Sequence, residues 1–482
     1  MRRLSHAIAA GAWGNATVRL FLITMLAFLA TGGGAIAEAQ VADERPNIVF
    51  ILTDDLDKRL LTSHISRYPN IQALAAQGVT FKNAFVTNSL CCPSRSTILS
   101  GLYSHNHHVM DNDPPSGGAQ AFRPLEPKAL PVWLDNAGYA TGYVGKYLNN
   151  YDGTYAPPGW DEWKGRVIGR PYLGKDQVEG FGMDGKNAQG KTHTQVFADE
   201  AVSFVRRRNG ATPYFLFVSP YAPHDPGVHA DRYDTLFSDA TLPRPPSFNE
   251  RDVSDKPAWI RDNPRLTPEQ IAKAQRLYRN RLRSMKDVDR MVGRIVGALR
   301  DTGELSSTYV VFFSDNGYHA GQHRLLRPPK RLAYEEDIKM PLIVRGPGAP
   351  TGVTRSGMVL SNDLAPTIAR WAQANPLLPV DGRSLVPMLG PSPPSNWRTA
   401  LLAEASPHEQ IGRPAYRAVR TKDHLYVSYA NGEKELYDLA RDPYELRSFY
   451  PKANDALRDR LRRRLSSLAR CAGAGCRSAE GQ

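Results

Sequence analysis

Ile48-Val49-Phe50-Ile51-Leu52-Thr53-Asp54-Asp55 decides how the rest of the chain is read. Five consecutive apolar residues leave no polar face, which is the pattern of a strand buried on both sides. Similar runs recur at Tyr214-Phe215-Leu216-Phe217-Val218, Tyr309-Val310-Val311-Phe312-Phe313 and Leu342-Ile343-Val344. Helical patterns lie between them, at Asn70–Ala76, Ala129–Ala137, Asp199–Arg207 and Pro268–Asp301. Alternation of this kind predicts an α/β fold, with a large, mostly parallel sheet covered by helices on both faces. Residues 219–265, rich in Pro and Asp, read as a long surface excursion that forms part of a substrate rim.

After Pro391–Pro394 the texture changes. Ala415–Tyr429 and Lys434–Leu439 read as strands joined by a turn at Asn431-Gly432. A last helix carries Leu457, Leu461, Leu465 and Leu468 on one face. The expected organisation is a large α/β domain over residues 45–390, a small antiparallel sheet with one packed helix over 396–470, and a tail over 471–482.

With 482 residues the chain can bury a large core, and 41% hydrophobic with 23% charged residues is globular composition. Residues 1–39 differ. Arg2, Arg3 and Arg19 precede the apolar run Leu20–Ala30, and Ala35-Ile36-Ala37 and Ala37-Glu38-Ala39 offer cleavage sites. This reads as a signal peptide, giving a secreted or periplasmic protein that begins near Glu38 or Gln40. Val18–Ala30 is too short for a stable membrane anchor. Four cysteines do not make a disulfide scaffold, although Cys471 and Cys476 can close a small loop in an oxidising compartment. The net charge of +13 comes without a zinc-finger, RNP or helix-turn-helix pattern, so no nucleic-acid partner is expected. Such a charge would attract polyanions such as sulfated glycans, and a charge bias without function fits equally well.

Asp54-Asp55 follows the first buried run, and Asp315-Asn316-Gly317 follows another. Ligands of open α/β sheets gather outside the carboxyl ends of strands. Four hard oxygen donors there suit Ca2+ or Mg2+, whereas each pair alone is an ordinary turn sequence. A third stretch is Cys91-Cys92-Pro93-Ser94-Arg95-Ser96-Thr97-Ile98-Leu99-Ser100-Gly101. Taken alone, its cysteines fit buried thiols or disulfide partners, and Pro93-Ser94 fits a helix start.

Together these stretches resemble the type I sulfatases, whose C-x-P-S-R signature Cys91–Arg95 fits; Leu102 departs from the basic residue common after the signature. The resemblance implies an alkaline-phosphatase-like fold and oxidation of Cys91 to formylglycine by a formylglycine-generating enzyme. The aldehyde hydrates to a geminal diol, so one hydroxyl attacks sulfur and the other later expels sulfate. Spacing selects Cys91 over Cys92, because from Cys92 the proline comes one residue too early. A helix beginning near Pro93 would place Cys91 just before its N-terminus. The resemblance further implies a metal held by Asp54, Asp55, Asp315, Asn316 and modified Cys91. Arg95 would hold the diol and the ligand carboxylates, and His224, in Ala-Pro-His-Asp-Pro, would protonate the leaving alcohol. Lys146, in Gly-Lys-Tyr-Leu-Asn, and Lys330, in Pro-Lys-Arg, would grip the sulfate.

Many sulfatases carry a His two or three residues after the lysine at position 146, where this chain has Leu148 and Asn149. That departure, the stretches Asp315–Gln322, Pro329–Arg331, Asp337–Pro341 and Val344–Gly348, and the Cys471–Cys476 pair resemble the N-acetylglucosamine-6-sulfatase and endosulfatase branch. The expected substrate is thus a sulfated amino sugar or glycan, with Asn149 and His319 contacting it; a structural turn histidine is an equal reading of His319. Rival readings are an arylsulfatase for small aryl or alkyl sulfates, a phosphonate or phosphate ester hydrolase, and a sulfated-glycan-binding protein without catalysis.

Overall fold

Along the first strand, β1 (Asn47–Thr53), every side chain is buried. Ile48, Phe50 and Leu52 point into one apolar core, Val49 and Ile51 into another. This is the period-two alternation of a strand with protein on both sides. The computed structural model describes residues 43–166, 187, 189–208, 210, 212–327 and 329–481. The expected signal peptide and its cleavage sites lie outside the described residues.

Seven more strands join β1: β2 (Val79–Phe85), β3 (Ala140–Lys146), β4 (Glu162–Arg166), β5 (Tyr214–Ser219), β6 (Thr308–Ser314), β7 (Lys339–Arg345) and β8 (Val353–Leu360). Their order is β4-β3-β5-β1-β6-β7-β2-β8, with β7 alone running against its two neighbours. The large, mostly parallel sheet with helices on both faces is as expected. On one face lie α1 (Pro69–Ala76), α4 (His193–Arg207) and the 34-residue α5 (Pro268–Asp301). On the other lie α2 (Cys91–Ser100), α3 (Leu130–Asn136) and α6 (Leu364–Ala372). Helix α4 starts at His193, before the expected Asp199, because Thr192 and Gln195 form a capping box there.

The C-terminal sheet has the order β12-β11-β10-β9, all antiparallel, from β9 (Ala400–Ala405), β10 (Tyr416–Thr421), β11 (His424–Tyr429) and β12 (Lys434–Asp438). The run read as one strand over 415–429 is therefore two. Lys422-Asp423 turns the chain, and polar residues with an Asp at the bend are the usual means of doing so. Helix α7 (Asp455–Leu468), capped by Asn454, and the short α8 (Ala474–Ala479) close this part. Leu401, Val419, Leu425 and Leu461 belong to the same apolar core as Phe81 and Cys92, so both sheets share one interior.

The expected Cys471–Cys476 disulfide is formed. It adjoins a buried ionic cluster in which Glu480 pairs with Arg383 and Arg398, and Arg398 also pairs with Asp363. Among the described residues no helix is long and apolar enough to cross a membrane.

Candidate active site

Strands β1 and β6 are parallel neighbours, with Thr53 opposite Ser314. The next residues in each strand thus emerge side by side. The Asp315 N–H donates to the Thr53 carbonyl at 3.0 Å, the Asp55 N–H to Asp315 Oδ1 at 3.1 Å, and Asn316 Nδ2 to Asp55 Oδ1 at 2.6 Å. Asp55 makes its turn in the left-handed region (φ 66°), which Asp tolerates better than most residues. All four side chains are buried, and Asn316 Oδ1 has no hydrogen-bond partner. The carboxylates of Asp54, Asp55 and Asp315 and the unpartnered amide oxygen of Asn316 are hard oxygen donors, the kind that suits a hard divalent cation. Donor atoms of Asp54, Asp55, Cys91 and His224 lie within 4.8 Å of one another.

Helix α2 brings the cysteines to this cluster. It begins at Cys91, two residues before the expected start, so Pro93 sits in the first turn, where its missing N–H costs nothing. Gly101 ends the helix in the left-handed region (φ 72°). Cys91 Sγ faces the acids, 3.6 Å from Asp54 Oδ1 and 2.9 Å from Lys330 Nζ. Cys92 points away into the apolar core, with Ile98 and Leu99 of its own helix in the same cluster. Burial pushes the Cys91 thiol up to about 11 against the opposing charges of Lys146 and Lys330, and the Cys92 thiol up to about 12. Neither is a thiolate at neutral pH, and a neutral thiol is a poor nucleophile.

Three buried cations balance the acids. Arg95 Nε donates to Asp315 Oδ2 at 2.8 Å, while Nη1 donates to Ser219 Oγ at 2.7 Å and to the Lys146 carbonyl at 2.8 Å. Its Nη2 lies 3.8 Å from Asp54 and has no hydrogen-bond acceptor. Lys146, the last residue of β3, places Nζ 2.5 Å from Asp54 Oδ2. Lys330 places Nζ 2.5 Å from Asp55 Oδ1. Burial alone would lower both ammonium groups, but Asp54 and Asp55 hold them above the usual lysine range. Burial would likewise raise the Asp54 carboxyl, yet Lys146, His224, Arg95 and Lys330 keep it well below the usual carboxylate range. Asp315 is raised by burial and by the Asp54 charge beside it.

The histidines differ in setting. His224, on the loop after β5, donates from Nδ1 to the Asp225 carbonyl at 2.7 Å and brings Nε2 to 3.6 Å from Asp55 Oδ2. Its side chain is 30% exposed, so an incoming molecule can reach it. His319 is buried, held at Nδ1 by Asp337 at 2.8 Å, with Nε2 lacking a partner. Asn149 lies by Cys92 rather than Cys91: its backbone and that of Gly118 oppose the upward shift of the Cys92 thiol, and its Oδ1 is buried without a partner.

Sequence reasoning missed three members of the cluster. Ser219 accepts from Arg95, Asp337 orients His319, and Arg281 on α5 donates to the Asp55 carbonyl. Ser219 ends a buried strand and was legible as a strand-end polar residue; Arg281 was not, being one arginine among several on a long helix.

Residues 46–374 match the family model described as Sulfatase, and residues 321–470 match N-sulphoglucosamine sulphohydrolase, C-terminal. An arylsulfatase of Volvox carteri is 36% identical, over 92% of this chain and 77% of its own length. N-acetylglucosamine-6-sulfatase of Homo sapiens is 31% identical over 92% of this chain and 89% of its own. The structure of BT4656 in complex with its substrate D-glucosamine-2-N,6-O-disulfate superposes with a TM-score of 0.73 at 26% identity, covering 88% of this chain and 97% of that one.

Proposed function

The chain belongs to the sulfatase family and hydrolyses sulfate esters; from that premise we propose that it removes sulfate from a sulfated amino sugar or its glycan, after export, using a formylglycine at position 91 and one divalent cation. The observation that carries this reading is the convergence of Asp54, Asp55, Asp315 and Asn316 with Lys146, Lys330 and Arg95 on the Cys91 side chain. Residues 45–390 are read as the catalytic domain, 396–470 as the smaller subdomain and 471–482 as the tail.

Asp54, Asp55, Asp315 and Asn316 would hold Ca2+, with Mg2+ as the alternative ion, and the oxygen of modified Cys91 would join them. The ion supplies Lewis-acid polarisation of sulfur and neutralises charge on the sulfate oxygens. An aldehyde at position 91 supplies, as its hydrate, an oxygen nucleophile where a neutral buried thiol would be unreactive. Arg95 steadies Asp315, and its unpartnered Nη2 is available to the hydrated position 91. Lys146 and Lys330 aim buried positive charge at the place where oxyanion charge develops, in surroundings that exclude water. His224, the exposed histidine of the cluster, passes a proton to the leaving oxygen. His319, held by Asp337, offers Nε2 to substrate, and Asn149 contributes from the side of Cys92. A formylglycine-generating enzyme is the maturation partner.

The human and BT4656 relatives favour glucosamine 6-sulfate units, and the Volvox relative favours aryl sulfates as the second reading. Sulfate release from glucosamine 6-sulfate and from 4-nitrophenyl sulfate, measured beside the mass of the Cys91 peptide, tests the proposal. Turnover with an unmodified Cys91, or preference for the aryl ester, would reject the corresponding part.

A further inference from the structure

A second, cation-lined cavity of about 410 Å³ opens beside the strand ends that carry the catalytic acids. Asp57, two residues beyond Asp55, and Tyr318 and Gln322, on the loop that begins at Asp315, form its near wall. Its other walls present Lys58, Arg59, Lys82, Lys339, Arg420 and Lys422. These come from separate places: the short helix Lys58–Ser63 after β1, strand β2, the start of β7, and the end of β10 with its turn.

The acids in the same walls do not neutralise this set. Glu335 is used by Lys339 at 2.6 Å and Arg420 at 2.9 Å. Asp57 caps its own helix by accepting from the Leu60 N–H and also pairs with Arg281. Burial pushes the Glu336 carboxyl up to about 7, so it is only partly charged at neutral pH. Among the described residues no carboxylate lies within 4 Å of Lys58, Arg59, Lys82 or Lys422. Lys58 donates to the Lys82 carbonyl, which fixes the two lysines beside each other. Burial, and after it the charge of Lys339, drives the Lys58 ammonium down to about 8 against the opposing charge of Glu335. Like charges gathered in one cavity are stabilised when an anion enters between them.

We propose that this cavity is a second oxyanion site, which takes a sulfate group of the substrate chain other than the one being cleaved. The inference rests on the reading of the substrate as a sulfated glycan. The lysines act as point charges that tolerate several orientations of a tetrahedral anion, while Arg59 adds a planar donor face. A polysulfated chain held at both places would be positioned for cleavage, whereas a monosulfated small ester would gain nothing from the cavity.

The test uses full-length protein carrying Cys91→Ala, so that substrate is bound and not consumed. A glucosamine oligosaccharide bearing several sulfates, and inorganic sulfate alone, are titrated by calorimetry into this parent and into one also carrying Lys58→Gln, Lys82→Gln and Lys422→Gln. The expected result is a rise in oligosaccharide Kd of about tenfold or more, with a shallower salt dependence. The corresponding Lys→Arg triple, which keeps the charge, should restore binding. In otherwise unaltered enzyme the Gln triple should leave kcat and KM for 4-nitrophenyl sulfate within about twofold. An unchanged oligosaccharide Kd overturns the proposal. Loss of inorganic sulfate binding alone, with oligosaccharide affinity intact, also overturns it and makes the cavity a site for free anion. A protein inert towards every sulfate ester, yet showing the oligosaccharide loss, would keep this site and reject the reading of the catalytic centre.

Discussion

Lys330 Nζ lies 2.9 Å from Cys91 Sγ and 2.5 Å from Asp55 Oδ1, so one ammonium links the position of the nucleophile to the acid cluster. Lys330 arrives from a loop more than two hundred residues away in sequence. That loop is fixed against the start of α2, since the Arg331 N–H donates to the Ser89 carbonyl at 3.0 Å and Ser89 Oγ to the Leu332 carbonyl at 2.7 Å. Two hydrogen bonds therefore tie the loop that carries Lys330 to the start of the helix that carries Cys91.

The two adjacent cysteines should separate cleanly. Cys91→Ser is expected to lose nearly all turnover with Tm unchanged within a few degrees, because its side chain serves the acid cluster and not the core. Cys92→Ala removes a buried sulfur from the apolar interior and should cost about 1 kcal/mol while keeping most activity. Kinetics and thermal melts on both variants decide the matter; substantial activity in Cys91→Ser would reject the assigned nucleophile.

Metal dependence is expected from the donor set. Chelation should abolish activity, and Ca2+ should restore it. Asn316→Ala, which deletes the unpartnered amide oxygen, should weaken Ca2+ affinity by about tenfold or more. Elemental analysis of active enzyme should find Ca2+ or Mg2+; stoichiometric zinc alone would contradict the assignment.

His107 makes a pH-dependent contribution to stability. It is buried, with Nδ1 accepting from the Val109 N–H at 3.1 Å and Nε2 2.9 Å from Thr97 Oγ1 on α2. Burial first, and then the neighbouring His105 and His108, drive its pKa down from 6.5 to about 3. A base whose folded pKa is depressed binds its proton more readily unfolded. Its stabilising share is therefore whole above pH 6.5 and is lost as the pH falls towards 3. His107→Gln can keep both hydrogen bonds without titrating, so its Tm should decline less than the parent's between pH 6.5 and 4.

Glu480, near the C-terminus, is completely buried, paired with Arg383 and Arg398, and accepts from the Tyr103 hydroxyl at 2.6 Å. Tyr103 lies just beyond the end of α2, so the tail reaches the helix that carries Cys91. Glu480→Ala leaves Arg398 with Asp363 as its one carboxylate partner among the described residues and should cost about 3–5 kcal/mol in denaturant unfolding. A loss below about 1 kcal/mol would show that the cluster contributes little.

The proposed export gives a further expectation. The mature chain should begin near Glu38 or Gln40. N-terminal sequencing of active enzyme recovered outside the cytoplasm checks it, and retention of Met1 would reject it.

The sequence by itself determined the strands whose local pattern is strong. Ile48–Leu52 cannot present a polar face, so it had to be central and buried on both sides; Pro268 after a Thr cap, with a long amphipathic run, had to open a helix. The motif spacing also singled out Cys91 over Cys92, and the structure turns only Cys91 towards the acids. Only the tertiary structure decided what lies between elements. The register of β1 against β6 sets Asp54 beside Asp315, and no local pattern encodes strand pairing across more than two hundred residues. Arg281 reaching Asp55 and Asp337 orienting His319 depend on which faces of distant elements pack together. So does the cation-lined cavity, whose lysines and arginines are unremarkable one by one along the chain. Local pattern fixes which side chains are buried and with what period, because that follows from backbone geometry and hydrophobicity. The meeting of buried charges follows from the long-range packing that brings them together, and is read only from the folded chain.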